Sequence, residues 1–146
     1  MSAGADERIP PPPEGFEPLE NLGPFWIHNG PLFRRPPREG EPELTQAVFI
    51  LPRHANTFGV LHGGMLSTFL DSTLSHAVGR ATGHRCVTVS LSIDFLKMAR
   101  QGEWLIGEGR VTQAEGRRVL AEGFARIGDL VIGRATGAFQ LMQRRG

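Results

Sequence analysis

Between residues 64 and 80 the apolar positions Met65, Leu66, Phe69, Leu70, Leu74, Ala77 and Val78, joined by Thr73, recur at three- and four-residue spacing, so the segment reads as a helix. At about 100° per residue they occupy over half of its circumference, the pattern of a helix buried on most sides. After it the period falls to two. Four strand-like runs follow, at about 86–98, 103–114, 118–127 and 130–142. Turn-like links at Arg100-Gln101-Gly102, Glu115-Gly116-Arg117 and Gly128-Asp129 join them, and links this short predict antiparallel neighbours in chain order. Ahead of the helix, 43–51 alternates as a strand that Pro52 ends. Asn29-Gly30-Pro31 turns into a brief strand at Leu32–Arg35, and 16–27, broken by Pro18, Gly23 and Pro24, permits a helical turn or two.

The later strands carry Gly107, Gly109, Gly123, Gly133 and Gly137, a costly choice in strand interiors unless the sheet bends or another backbone comes close. An α+β fold satisfies both conditions: a curved antiparallel sheet wrapped around one long central helix. Residues 1–15 are proline-rich and aperiodic, an arm expected to be flexible or to lie against a neighbouring subunit, and 16–146 form one domain. Gly-Arg-Ala-Thr-Gly occurs at 79–83 and again at 133–137, once at a helix end and once within a strand, which makes no repeat architecture.

Sixteen basic residues against fifteen acidic ones leave a formal charge of +1, so no global field calls for nucleic acid or an anionic membrane. Cys86 is the sole cysteine, which excludes an internal disulfide and suits a reducing, cytoplasmic setting. The first residues lack the pattern of a secretory signal, and no apolar run approaches the ~20 residues of a membrane span. Nucleotide-binding Gly-x-x-x-x-Gly-Lys, nucleophile-elbow Gly-x-Ser-x-Gly and metal-binding His-Glu-x-x-His are all missing from the sequence.

What stands out is Asn56-Thr57-Phe58-Gly59-Val60-Leu61-His62-Gly63-Gly64, followed by a single carboxylate, Asp71, within the apolar helix. The first turn of a helix leaves N–H groups unpaired and carries about half a positive charge. At Gly63 and Gly64 no side chain covers those groups, so a substrate oxygen can approach them. Donors of this kind, aimed at a developing oxyanion, contribute roughly 3–4 kcal/mol to acyl transfer. Asp71 lies two turns further on, flanked by Ser67 and Ser75, out of reach of the Gly63 amide on the same helix. For both to act on one atom they must come from two copies of the chain. Asn56 could donate to a carbonyl or orient water, and His62 could brace the loop through either ring nitrogen.

The spacing Asn56-x-x-Gly59-x-x-His62-Gly63-Gly64-x6-Asp71, with the strands behind it, resembles the PaaI-type branch of the hotdog-fold acyl-CoA thioesterases, in the 4-hydroxybenzoyl-CoA thioesterase superfamily, over about residues 29–141. The resemblance implies that the Gly63 amide polarises a thioester carbonyl while Asn56 helps to hold it. Asp71 of the partner subunit would be general base or nucleophile, His62 would brace the loop and Thr88 would assist water. Gly64, Lys97, Arg100, Arg117 and Arg118 are the implied substrate contacts, the basic four for the CoA phosphates, with the acyl group among Phe58, Met65 and Phe69. The implied assembly is a homodimer or dimer of dimers, and CoA arrives with the substrate rather than as a cofactor. The same fold serves acyl hydratases or dehydratases, but their catalytic His and acid are arranged differently. A non-catalytic acyl-CoA-binding regulator would not need Asp71, and a purely structural oligomer would carry the motif by accident.

Overall fold

The computed structural model describes residues 8–143. The long periodic segment forms a central helix α2 at Gly63–Thr82, and its ends are chemically defined. His62 caps the N-terminus, and Gly83 closes the C-terminus at φ 72°, a left-handed conformation in which its N–H reaches Gly79 O at 2.8 Å. Met65, Leu66, Phe69, Leu70, Leu74, Ala77 and Val78 are buried along it, with Ser72 and Thr73. Each fully buried Leu or Phe contributes about 1.5–3 kcal/mol, so the helix is held by its packing and not by propensity.

Among the described residues seven antiparallel strands surround it: β1 (Glu17–Pro18), β2 (Leu32–Arg35), β3 (Leu44–Phe49), β4 (Cys86–Phe95), β5 (Trp104–Glu115), β6 (Arg118–Ile127) and β7 (Leu130–Leu141). A short helix α1 (Pro24–Asn29) precedes β2, and Pro52–His54 is a single 3-10 turn. The spatial order is β1-β2-β3-β5-β6-β7-β4. Register shifts at Thr88/Ser90, Val111/Gln113 and Ala125/Arg126 help the sheet curl around the helix. The strand glycines let the helix sink into that curve. A Cβ at Gly107 would come within 2.6 Å of the Phe69 ring, and one at Gly109 within 2.9 Å of Thr73 O.

One expectation is overturned. The link at Arg100-Gln101-Gly102 does not join neighbours: β4 pairs with β7, while β5 pairs with β3. The strand ends at Phe95, and the following residues form a crossing beside the helix N-terminus. Leu61 N donates to Ala99 O at 2.8 Å, Val60 bridges Arg100, and Gly102 N donates to Ile50 O at 2.7 Å. The turn chemistry was real, but it returns the chain to β3 and not to β4.

The described part of the proline-rich arm lies on the protein's own sheet. Ile9 packs against a cluster of Phe16, Phe33, Ala47 and Ile106 on the face away from α2. Residues 1–7 of that arm are outside the described residues. Among the described residues no helix is long and apolar enough to cross a membrane.

Candidate active site

The loop before α2 is built by one side chain. Asn56 Oδ1 accepts the backbone N–H groups of Phe58 (2.9 Å) and Val60 (3.2 Å), while Asn56 N donates to Val60 O at 2.8 Å. An Asx turn of this type requires a short amide or acid, and Gly59 at φ 74° completes it. With the oxygen occupied, the Nδ2 end of Asn56 is what remains to donate outward.

His62 fixes the next step. Its Nδ1 accepts Gly64 N–H at 2.9 Å, so that nitrogen carries no proton and the neutral ring holds its hydrogen on Nε2. The imidazole lies 3.0 Å from where a Cβ at position 64 would stand, which favours glycine there. This corrects the expectation for Gly64: its amide is spent on the cap. Gly63, exposed at the first helical position, keeps an N–H without a hydrogen bond among the described residues. A Cβ at 63 would rest 3.4 Å from the ring of Phe95, whose own surface is 59% exposed.

Two turns along, Asp71 is half-buried and its Oδ1 accepts from Thr88 Oγ1 on β4 at 2.7 Å. That is the length of a charge-assisted hydrogen bond. The strand after the helix thus places a hydroxyl on the carboxylate, leaving Oδ2 for other work. Eight residues of helix at about 1.5 Å each separate Gly63 from Asp71 by about 12 Å, too far for one ligand atom. Burial also holds the neighbouring Cys86 thiol above its usual range, with the Asp71 charge acting in the same direction. It is therefore a poor nucleophile.

The other nominated residues divide. Lys97 and Arg100 lie on the crossing beside the helix N-terminus, whereas Arg117 and Arg118 lie at the β5–β6 turn, where Leu141 N donates to Arg117 O at 2.8 Å. The ten residues of β4 separate these pairs by about 30 Å within one chain. Met65 and Phe69 belong to the core, at 8% and 0% exposure, whereas Phe58 is 83% exposed. The sequence reading missed Gln46. This polar residue, fully buried on β3, bonds to the helix beside Asp71. Its signal was a polar residue on the strand face shared with Val48.

Residues 58–135 match the family described as "Thioesterase superfamily", a span that includes His62, Gly63, Asp71 and Thr88. The Pseudomonas aeruginosa protein named "Putative esterase PA0474" is 36% identical over 131 residues, covering 88% of this chain and 96% of that one. The solved structure of BH2602 from Bacillus halodurans with CoA shares 23% identity at TM-score 0.67, covering 77% of this chain and 74% of that one. Escherichia coli PaaI, from the phenylacetic acid degradation operon, shares 17% at TM-score 0.65, covering 68% and 72%. By motif, architecture and family match alike, the chain belongs to the Thioesterase superfamily, a thioester hydrolase of the hotdog fold.

Proposed function

We propose that the protein hydrolyses acyl-CoA thioesters as a homodimer, with the Gly63 amide of one subunit and Asp71 of the partner subunit acting on the same carbonyl. The observation that carries this reading is the division of labour along α2. An open amide stands at the positive end of the helix dipole, and a carboxylate already held by Thr88 lies about 12 Å away. Two such helices running antiparallel bring each amide to the other's acid. The exposed edge of β4 is the surface along which that pairing occurs, and a dimer of dimers is the larger assembly expected.

In the general-base route, Asp71 Oδ2 takes a proton from water as the water oxygen bonds to the thioester carbon. Negative charge gathers on the carbonyl oxygen, where the Gly63 N–H and the Nδ2 of Asn56 receive it. The C–S bond then breaks, and the thiolate leaves with the proton held by Asp71. In the nucleophilic route the same carboxylate oxygen bonds to the carbon first, the C–S bond breaks with departure of the CoA thiolate, and water cleaves the resulting anhydride to release the acid and restore Asp71. Thr88 serves either route by fixing the carboxylate's orientation. His62 holds the loop by satisfying Gly64, so that Gly63 alone faces the substrate. No resident metal or organic cofactor enters either route. Lys97 and Arg100, beside the helix N-terminus, are the first choice for the CoA phosphates, with Arg117 and Arg118 reaching the site only from a second subunit. The CoA complex of the Bacillus halodurans fold neighbour supports CoA as the carrier.

The test is thiol release from short, medium, branched and aromatic acyl-CoAs by the wild type and Asp71→Asn. Turnover of at least one substrate, with kcat reduced on the order of 10²- to 10⁴-fold in the variant, is expected. Equal rates remove Asp71 from the mechanism, and binding without thiol release favours a regulator.

A further inference from the structure

Gln46 lies midway along β3 with 0% of its surface exposed, on the face that carries Val48 into the core beneath α2. Its Nε2 donates to Ser72 Oγ at 3.3 Å and to Thr73 Oγ1 at 3.0 Å, and its Oε1 accepts from Arg34 Nη2 at 3.4 Å. Arginine only donates, so Arg34 decides which end of the amide is oxygen and turns the NH2 end towards the two hydroxyls. Thr73 Oγ1 passes the chain on to Phe69 O at 2.8 Å. Opposite Gln46 in the β3–β5 register stands Gly107, where a Cβ would come within 2.7 Å of Thr73 Oγ1. The helix therefore meets the sheet most closely at the turn that Gln46 grips.

Asp71 and Thr73 lie about 200° apart around the helix axis. One side of this turn is bonded to β3 through Gln46, and the other to β4 through Thr88. Two hydrogen bonds on opposite faces oppose rotation, where either alone would act as a pivot. The Asp71 carboxylate stands about 5 Å from the axis, so a turn of about 10° displaces it by about 1 Å. Displacements of that size cost on the order of 10²-fold in rate.

We propose that Gln46 is a positioning residue for Asp71. From the far side of α2 it fixes the rotation of the Ser72–Thr73 turn and so holds the carboxylate on the side that faces Thr88. The inference rests on the reading of Asp71 given above. The same amide also serves Arg34, whose buried Nε finds no partner among the described residues, so Gln46→Leu removes an acceptor from that guanidinium as well as the bonds to the helix.

The experiment compares the full chain as wild type, Gln46→Leu, Gln46→Glu and Asp71→Asn, measuring kcat and KM by thiol release and the folded fraction by circular dichroism. Gln46→Glu keeps an acceptor for Arg34 and lets the two hydroxyls donate to the carboxylate, preserving the anchor with its polarity reversed. Gln46→Leu is expected to lose kcat on the order of 10- to 100-fold while folded at the assay temperature, with KM unchanged within about threefold. Gln46→Glu is expected to recover most of that loss. Should Gln46→Leu melt too early, Ser72→Ala with Thr73→Val removes the same bonds from the helix side and must produce the same fall in kcat. A wild-type kcat in Gln46→Leu, equal impairment in the Leu and Glu variants, or a loss confined to KM overturns the proposal while leaving Asp71 in place. A fully active Asp71→Asn overturns both readings together.

Discussion

The two edges of the sheet are built on opposite principles. At one end, β1 is two residues long, includes Pro18, and is preceded by a chain that lies over the outer face. Phe16 is buried there beneath Arg35, whose guanidinium stands 5.4 Å from the ring centroid and pairs with Glu41 at 2.7 Å. At the other end β4 runs for ten residues without a proline, bonded to β7 on one side and to nothing on the other among the described residues. Val87 and Val89 are 51% and 49% exposed on it. Short, proline-bearing, covered edges are how proteins prevent further pairing, and a long apolar edge invites it. The contrast sets a closed edge at β1 against an open one at β4. Asp71 and Thr88 lie beside the open edge.

Three variants sharpen or break this comparison. The largest effect is expected from Val87→Lys with Val89→Lys, which sets like charges against each other wherever two β4 edges meet. Sedimentation should show single protomers, with thiol release reduced on the order of 10²-fold or more because amide and acid no longer share a substrate. Since both residues are exposed, melting should move little, and a monomer that retains full activity would refute the shared site. A smaller effect is expected of Thr88→Val, which removes the 2.7 Å bond to Asp71 without creating a cavity. About a tenfold fall in kcat with unchanged assembly is the outcome to look for in steady-state kinetics. The smallest belongs to the closed edge. Arg35 holds the Glu41 carboxyl down to about 2 from its ordinary 4.5, so the pair's contribution to stability is complete above pH 4.5 and is lost as pH falls towards 2. Melting curves of wild type and Glu41→Gln should differ most above pH 4.5 and converge near pH 2, while activity at neutral pH is unchanged.

Much of the fold was legible because its signals are local. The helix at 64–80 and the strands at 118–127 and 130–142 fall within a few residues of the observed elements, since period and turn chemistry act over short stretches. The strand glycines announced a close approach, and Gly107 and Gly109 lie directly under Phe69 and Thr73. The pairing of β4 was not legible. Its link to β5 carries turn residues, and no local rule says that the chain crosses the sheet end instead of doubling back. For the site, the order of Asn56, His62, Gly63 and Asp71 was visible, but the fate of each amide was not. Which of two adjacent glycines keeps its N–H depends on where the His62 ring points, and Gln46 reaches the helix turn next to Asp71 only when β3 meets the helix.

By itself the sequence determined the elements, the buried arc of α2 and the residue types that can polarise and attack a carbonyl, because all of these follow from spacing along a single segment. Tertiary structure alone decided the strand order, the free edge at β4, the bond from Thr88 to Asp71 and the grip of Gln46 on the opposite face. Those are contacts between residues 17 and 27 positions apart, and their energy exists only once the sheet has closed around the helix.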